Sequence, residues 1–184
     1  MKSEITYYET TTEDHTLETF ALVEQKLVET GIKKLILAST TGRTALNAMK
    51  YFANKGISLV VIPHQYGFSC EENLFSEETI KTLHENGHEV HFGTMLFHTD
   101  KLFGSSVPAV IANFLRCFSE GVKVCYEITL MAADSGLVKT GESVIAIAGT
   151  GANSDTALLM QAATTRNLGR LRVNEIICKP YNAL

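Results

Sequence analysis

The chain predicts an α/β domain on a mostly parallel sheet, and three observations carry that prediction. Short apolar runs of strand length recur at residues 35–38, 58–62, 88–92, 143–148 and 173–178. Segments with apolar residues at helical spacing lie between them. The first and fourth runs also break abruptly into small polar residues, as strands do at the ligand-bearing edge of such sheets.

Residues 1–15 are polar and read as an N-terminal arm, although Tyr7 and Tyr8 suggest that it packs somewhere. Leu17, Phe20, Ala21, Leu27 and Val28 mark the first helix, with Gly31 as its stop. Leu35, Ile36, Leu37 and Ala38 form a strand apolar on both faces, which suits the interior of a parallel sheet. It empties into Ser39, Thr40, Thr41, Gly42, Arg43 and Thr44. Ala45, Ala48, Met49, Phe52 and Ala53 then recur on one helical face, and Gly56 is expected to close that helix as its C′ residue.

The turn suits a phosphate. The first N–H groups of a helix lack intrahelical partners, and the helix dipole adds partial positive charge there. The hydroxyls add donors, Gly42 lets backbone come close, and Arg43 offers a fork-shaped cation. The Gly-x-x-x-x-Gly-Lys spacing of a P-loop is missing, and the same residues also make an ordinary N-cap.

A second strand, Ser58–Ile62, ends at Pro63, and a long aromatic loop follows it from His64 to Phe75. Ser76, followed by Glu77 and Glu78, starts a helix that runs to Asn86-Gly87. His88–Phe92 is a third strand, and residues 93–106 carry no assignment. Pro108 opens a helix with an apolar stripe of Val107, Val110, Ile111, Phe114, Leu115 and Phe118. The next helix, Val122–Val138, is apolar nearly all round and expected to be central; Glu127 inside it must be exposed, paired or functional. Ser143–Ala148 is the fourth strand, and it breaks into Gly149-Thr150-Gly151-Ala152-Asn153-Ser154-Asp155-Thr156. Leu158–Met160 make a short apolar segment, residues 164–172 are polar and basic, and Val173–Cys178 is the last strand.

At 184 residues, with 45% hydrophobic and 20% charged residues, the composition is that of one globular domain. A net charge of −4 without a basic tract argues against nucleic acid or anionic membrane as a partner. No apolar run approaches the ~20 residues that span a bilayer. The first residues lack the apolar core of a signal peptide, so a cytoplasmic address is expected. Cys70, Cys117, Cys125 and Cys178 are scattered, which argues against both disulfides and zinc. His84, His88 and His91 are close in sequence, but a helix end falls between them and no metal site is expected.

Together, Ser39-Thr-Thr-Gly-Arg-Thr-Ala45, Gly121-Val-Lys-Val-Cys-Tyr-Glu-Ile-Thr-Leu-Met-Ala-Ala-Asp-Ser-Gly136 and Val144-Ile-Ala-Ile-Ala-Gly-Thr-Gly151 resemble the C-terminal domain of pyruvate kinase. In that family the first loop resembles an element that grips a phosphate of a sugar bisphosphate activator. The similarity runs from about residue 16 to 180 and is greater to a stand-alone family of such domains, which also shares Glu175-Ile-Ile-Cys-Lys-Pro180. The resemblance implies a three-layer fold with a five-stranded sheet of order 3-2-1-4-5, the last strand antiparallel. It also implies that the catalytic barrel of pyruvate kinase has no counterpart within these 184 residues.

Stand-alone members resemble binders of flavin mononucleotide (FMN), so the resemblance implies a phosphorylated ligand between the loops after the first and fourth strands. Its phosphate is expected on Ser39, Thr40, Thr41, Gly42, Arg43 and Thr44. Gly149, Thr150, Gly151, Asp155 and Thr156 would meet the rest of the ligand. His64, Tyr66, Gly67 and Phe68 would cover an aromatic face, and Tyr8 and Glu9 would close the site. Three readings stay open: a binding module, a flavin-dependent oxidoreductase, and a regulatory subunit or homo-oligomer without turnover.

Overall fold

In the computed structural model, residues 2–68 and 73–182 are described; Cys70 lies outside them. The elements in chain order are β1 (Thr6–Tyr8), α1 (Thr16–Thr30), β2 (Lys34–Ala38), α2 (Arg43–Tyr51), β3 (Ser58–Ile62), α3 (Glu77–Glu85) and β4 (Glu89–Val90). They continue with α4 (Asp100–Phe103), α5 (Val107–Arg116), α6 (Glu120–Asp134), β5 (Ser143–Ala148), β6 (Thr156–Gln161) and β7 (Arg172–Pro180). Short 3₁₀ turns occupy Leu96–His98 and Thr165–Arg170.

The strands form one mixed sheet of seven, in the order β1-β7-β6-β5-β2-β3-β4. Read from β4, the run β4-β3-β2-β5 reproduces the 3-2-1-4 order that the resemblance implies. The other side corrects it. β6 lies between the fourth expected strand and the last, antiparallel to both β5 and β7. Two reversals cancel, so β7 runs with β5, and β6 is the strand that runs against the rest. β1 adds a seventh strand by pairing in parallel with β7. The expected five strands missed β6 because only Leu158–Met160 advertise it, and β1 because three polar-flanked residues carry no periodic signal.

Alternation along the strands builds two cores. Leu35, Leu37, Leu59, Val61, Ile145 and Ile147 pack under Phe20 and Val23 of α1 and Ala45 and Ala48 of α2. Ile36, Val60, Val144 and Ala146 face the other way, onto Val122, Cys125, Ile128 and Ala132 of α6. Period-2 alternation beneath helical faces gives the three layers. Gly121 lets α6 approach the sheet, since a Cβ there would stand 2.1 Å from Thr156 Oγ1.

Two expectations about helices are corrected, and one helix shows a feature that its stripe left open. Gly56 does not close α2, which stops at Tyr51 with Phe52 as its cap; Gly56 instead turns the chain into β3 with φ +66°. The central helix ends at Asp134 rather than Val138, with Ser135 as its cap. The apolar stripe of α5 faces outward: only Ala112 and Leu115 are buried, while Val107, Val110, Ile111, Phe114 and Phe118 are exposed. Leu102 and Phe103 of α4 extend that face, at 68% and 75% exposure. No helix among the described residues is long and apolar enough to cross a membrane.

Candidate functional site

β2 sits where the strand order reverses: β3 lies on one side, β5 on the other, and both run parallel to it. Ligands of open α/β sheets bind beyond the carboxyl ends of strands at that point. A crevice of about 470 Å³ occupies it, lined by both small-polar loops. Small-molecule sites commonly measure about 300–1,000 Å³.

The first wall is the turn from β2 into α2. Gly42 adopts φ +86°, a left-handed conformation that glycine takes without penalty, and hands the chain into the helix. A Cβ there would also press within 2.7 Å of Thr79 Cγ2. Gly42 therefore shapes the turn from behind and is not a wall of the crevice. Ser39 is buried, and its Oγ accepts the Ala45 N–H at 3.3 Å, so this hydroxyl caps α2. The N–H groups of Arg43 and Thr44 have no acceptor among the described residues. They lie at the positive end of a nine-residue helix, beside the hydroxyls of Thr40, Thr41 and Thr44.

The second wall is the loop from β5 to β6. Gly149 and Gly151 line the crevice together with Ala152 and Asn153. Arg43 joins the two walls: its Nη2 donates to the Ala152 carbonyl at 2.7 Å and lies 3.4 Å from Asn153 Oδ1. Two stretches more than one hundred residues apart thus meet at one guanidinium. Its Nε and Nη1 hydrogens have no acceptor among the described residues.

Asp155 and Thr156 hold this loop from beneath rather than face the crevice. Asp155, 1% exposed, accepts the Thr150 N–H at 2.9 Å and the Thr156 hydroxyl at 2.7 Å. Its own N–H donates to the Ala148 carbonyl at 3.1 Å. The Thr150 hydroxyl oxygen is buried and has no partner among the described residues.

The N-terminal arm meets the site through other residues than expected. Tyr8 is buried in β1, stacked on His15 with ring centroids 4.1 Å apart and hydrogen-bonded to Thr19. Its hydroxyl pKa is raised, chiefly by burial. Glu9 is exposed beside it. Neither lines the crevice, because β1 joins the sheet three strands away from β5. The arm reaches the second loop through the Glu13 carbonyl, which accepts from Asn153, and next to it Thr16 at the start of α1 accepts the Ser154 N–H.

Of the aromatic loop, His64 lines the crevice, with Nε2 3.4 Å from the Thr40 hydroxyl. Phe68 packs its ring against His64 and His98, at centroid distances of 4.8 and 4.9 Å. Tyr66 leans instead on Phe92, and Gly67 turns the chain between them with φ +72°. Burial, with His98 and Lys123 nearby, holds the His64 pKa below the ordinary imidazole value. The unfolded chain therefore binds more protons between the folded pKa and ~6.5, so His64 stabilises the fold above that window and loses stability through it as pH falls. Denaturant titrations from pH 7.5 to 5 are expected to show falling stability, with a shallower fall in His64→Gln.

Residues that sequence reasoning missed are Ala152 and Asn153, which supply the acceptors for Arg43. A backbone carbonyl leaves no sequence signal.

The family model for the pyruvate kinase alpha/beta domain matches residues 18–160. A pyruvate kinase from Cryptosporidium parvum aligns at 16% identity and TM-score 0.40, over 76% of this chain and 21% of that one. The Cryptosporidium parvum pyruvate kinase in complex with ADP aligns at 17% identity and TM-score 0.37, over 73% and 21%. The chain thus spans about a fifth of the length of those enzymes.

Proposed function

The chain belongs to the pyruvate kinase alpha/beta domain family, and on that premise we propose that it binds a phosphorylated small molecule, most specifically FMN, in the crevice between the loops after β2 and β5. The observation that supports this reading is the meeting of both loops at Arg43, which leaves unspent donors around one space. The phosphate would take the N–H groups of Arg43 and Thr44, the hydroxyls of Thr40 and Thr41, and the free edge of the guanidinium. Gly149 and Gly151 would let backbone come close to the ligand. His64 would border its non-phosphate part.

When bound, FMN would supply hydride and electron chemistry, with the protein binding and orienting it. The test is identification by mass spectrometry of whatever co-purifies, read beside the visible spectrum. A flavin phosphate supports the reading; a ligand without phosphate, or a protein that neither retains nor takes up a phosphate ester, contradicts it. Anaerobic bleaching by a reduced nicotinamide would favour a flavin-dependent oxidoreductase over a binding module. Arg43→Ala is expected to weaken FMN by roughly 1.5–3 kcal/mol, the range for a hydrogen bond to a charged group. Isothermal titration measures it, and unchanged affinity would remove Arg43 from the site.

A second reading, assembly into a homo-oligomer, is favoured by the outward stripe of Val110, Phe114 and Phe118 continuing onto Phe103. Patches of this kind mark association surfaces. Sedimentation velocity is expected to show an oligomer that Phe114→Asp shifts at least tenfold toward monomer, because it places a charge within an apolar contact.

A further inference from the structure

Space continues behind the crevice. A cavity of about 50 Å³ shares Ser39, Thr40, His64 and Val124 with it and extends to Glu127 on α6. With ~30 Å³ as the share of one water in the liquid, it holds a single polar group and excludes a ring.

The wall of this cavity is largely apolar but carries one carboxylate, Glu127, which apolar packing does not require. Glu127 and Lys123 are 2% and 1% exposed and lie one helical turn apart. Lys123 Nζ donates to Glu127 Oε2 at 2.7 Å. Glu127 Oε1 accepts the Phe97 N–H at 2.8 Å, and His98 Nδ1 stands 3.4 Å from the same oxygen. Apolar residues of similar volume commonly serve a core as well as a buried ion pair does, or better. Each oxygen keeps acceptor capacity beyond these bonds. His64 borders both spaces, and its buried Nδ1 has no partner among the described residues. A polar group at the back of the crevice would meet the spare acceptor capacity of Glu127 and this Nδ1 of His64.

Resting on the phosphate reading above, we propose that this cavity is a hydroxyl-reading subsite, and that the ligands of this site are phosphate monoesters of hydroxylated chains. Chemistry selects the group. A carboxylate would be repelled by Glu127, and an ammonium would compete with Lys123, which already balances that charge. A methyl group would leave His64 Nδ1 without a partner and the spare acceptor capacity of Glu127 unused. A hydroxyl donates its hydrogen to Glu127 and accepts or donates at His64, and its size fits.

The test is isothermal titration with ribitol 5-phosphate, 1-pentyl phosphate and inorganic phosphate. The first two match in charge and chain length and differ in hydroxyls. Ribitol 5-phosphate is expected to bind at least tenfold tighter than pentyl phosphate. The paired replacement Lys123→Met with Glu127→Leu, which removes the ion pair without stranding a charge, is expected to bring that ratio below threefold, with folding confirmed by its melting curve. Equal affinity for the two esters, or a preference that survives the paired replacement, overturns the subsite alone. Failure of all three anions to bind overturns the phosphate reading, and the subsite with it.

Discussion

Gly149→Ala is expected to collapse the second wall of the crevice. A Cβ at that position would stand 1.9 Å from the Asn153 carbonyl oxygen, 2.8 Å from its carbon and 3.0 Å from the Asp155 nitrogen. All three atoms are backbone, so no rotamer relieves the clash and the loop itself must open. Opening breaks the Asp155 N–H bond to Ala148 and the bond from Thr150 to the Asp155 carboxylate. Overpacking at ~1–3 kcal/mol and about 1 kcal/mol for each lost bond together make roughly 3 kcal/mol or more. At this chain length that lowers the melting temperature by about 6–12 °C. Ligand binding should vanish with it. Gly151→Ala is the control: its φ of +70° costs ~1–2 kcal/mol, but open space surrounds its Cβ position. Equal melting shifts for the two variants would contradict this account of the loop.

Glu127→Ala carries the other large effect. It leaves the Lys123 ammonium buried beneath Phe97 with no counter-charge, the Phe97 N–H without its acceptor, and a void beside Met131. Removing one partner of a buried pair costs about 3–5 kcal/mol, whereas replacing both by apolar residues is often neutral. Calorimetry should therefore place Glu127→Ala roughly 6–20 °C below the parent, at ~2–4 °C per kcal/mol. The paired replacement Lys123→Met with Glu127→Leu should lie much nearer the parent, its remaining cost being the lost acceptor of the Phe97 N–H. A mild single variant would mean that Lys123 has another partner or reaches water.

The contrast between those two sites shows what a sequence exposes and what it hides. The turn from Ser39 to Thr44 was legible as a junction of strand and helix, because an apolar strand, a hydroxyl-rich turn and a helical face follow one another locally. Gly149 was legible for the same reason. The partner of Arg43 was not, since a main-chain oxygen at Ala152 has no residue-type signature and lies 109 positions away. Glu127 stood out as a carboxylate in an apolar helix, yet the sequence left its fate open, because Lys123 one turn earlier reads equally as a solvated neighbour. Asp155 and Thr156 were assigned to the ligand, although their bonds turn inward to the loop. Polar residue types announce hydrogen bonding but not its direction. Tyr8 and Glu9 lie away from the crevice because a three-residue edge strand is fixed by its partner β7 rather than by its own pattern. On α5 the periodicity located a helix but not which way its apolar face looks.

The central claim is that the two loops clasp a phosphate ester, and one pair of ligands tests it directly. FMN and riboflavin share the ring and the chain and differ only in the terminal phosphate. Fluorescence titration is expected to show FMN binding at least a hundredfold tighter than riboflavin, with Arg43→Ala narrowing the gap. Riboflavin binding as tightly as FMN, or neither ligand binding, would contradict it.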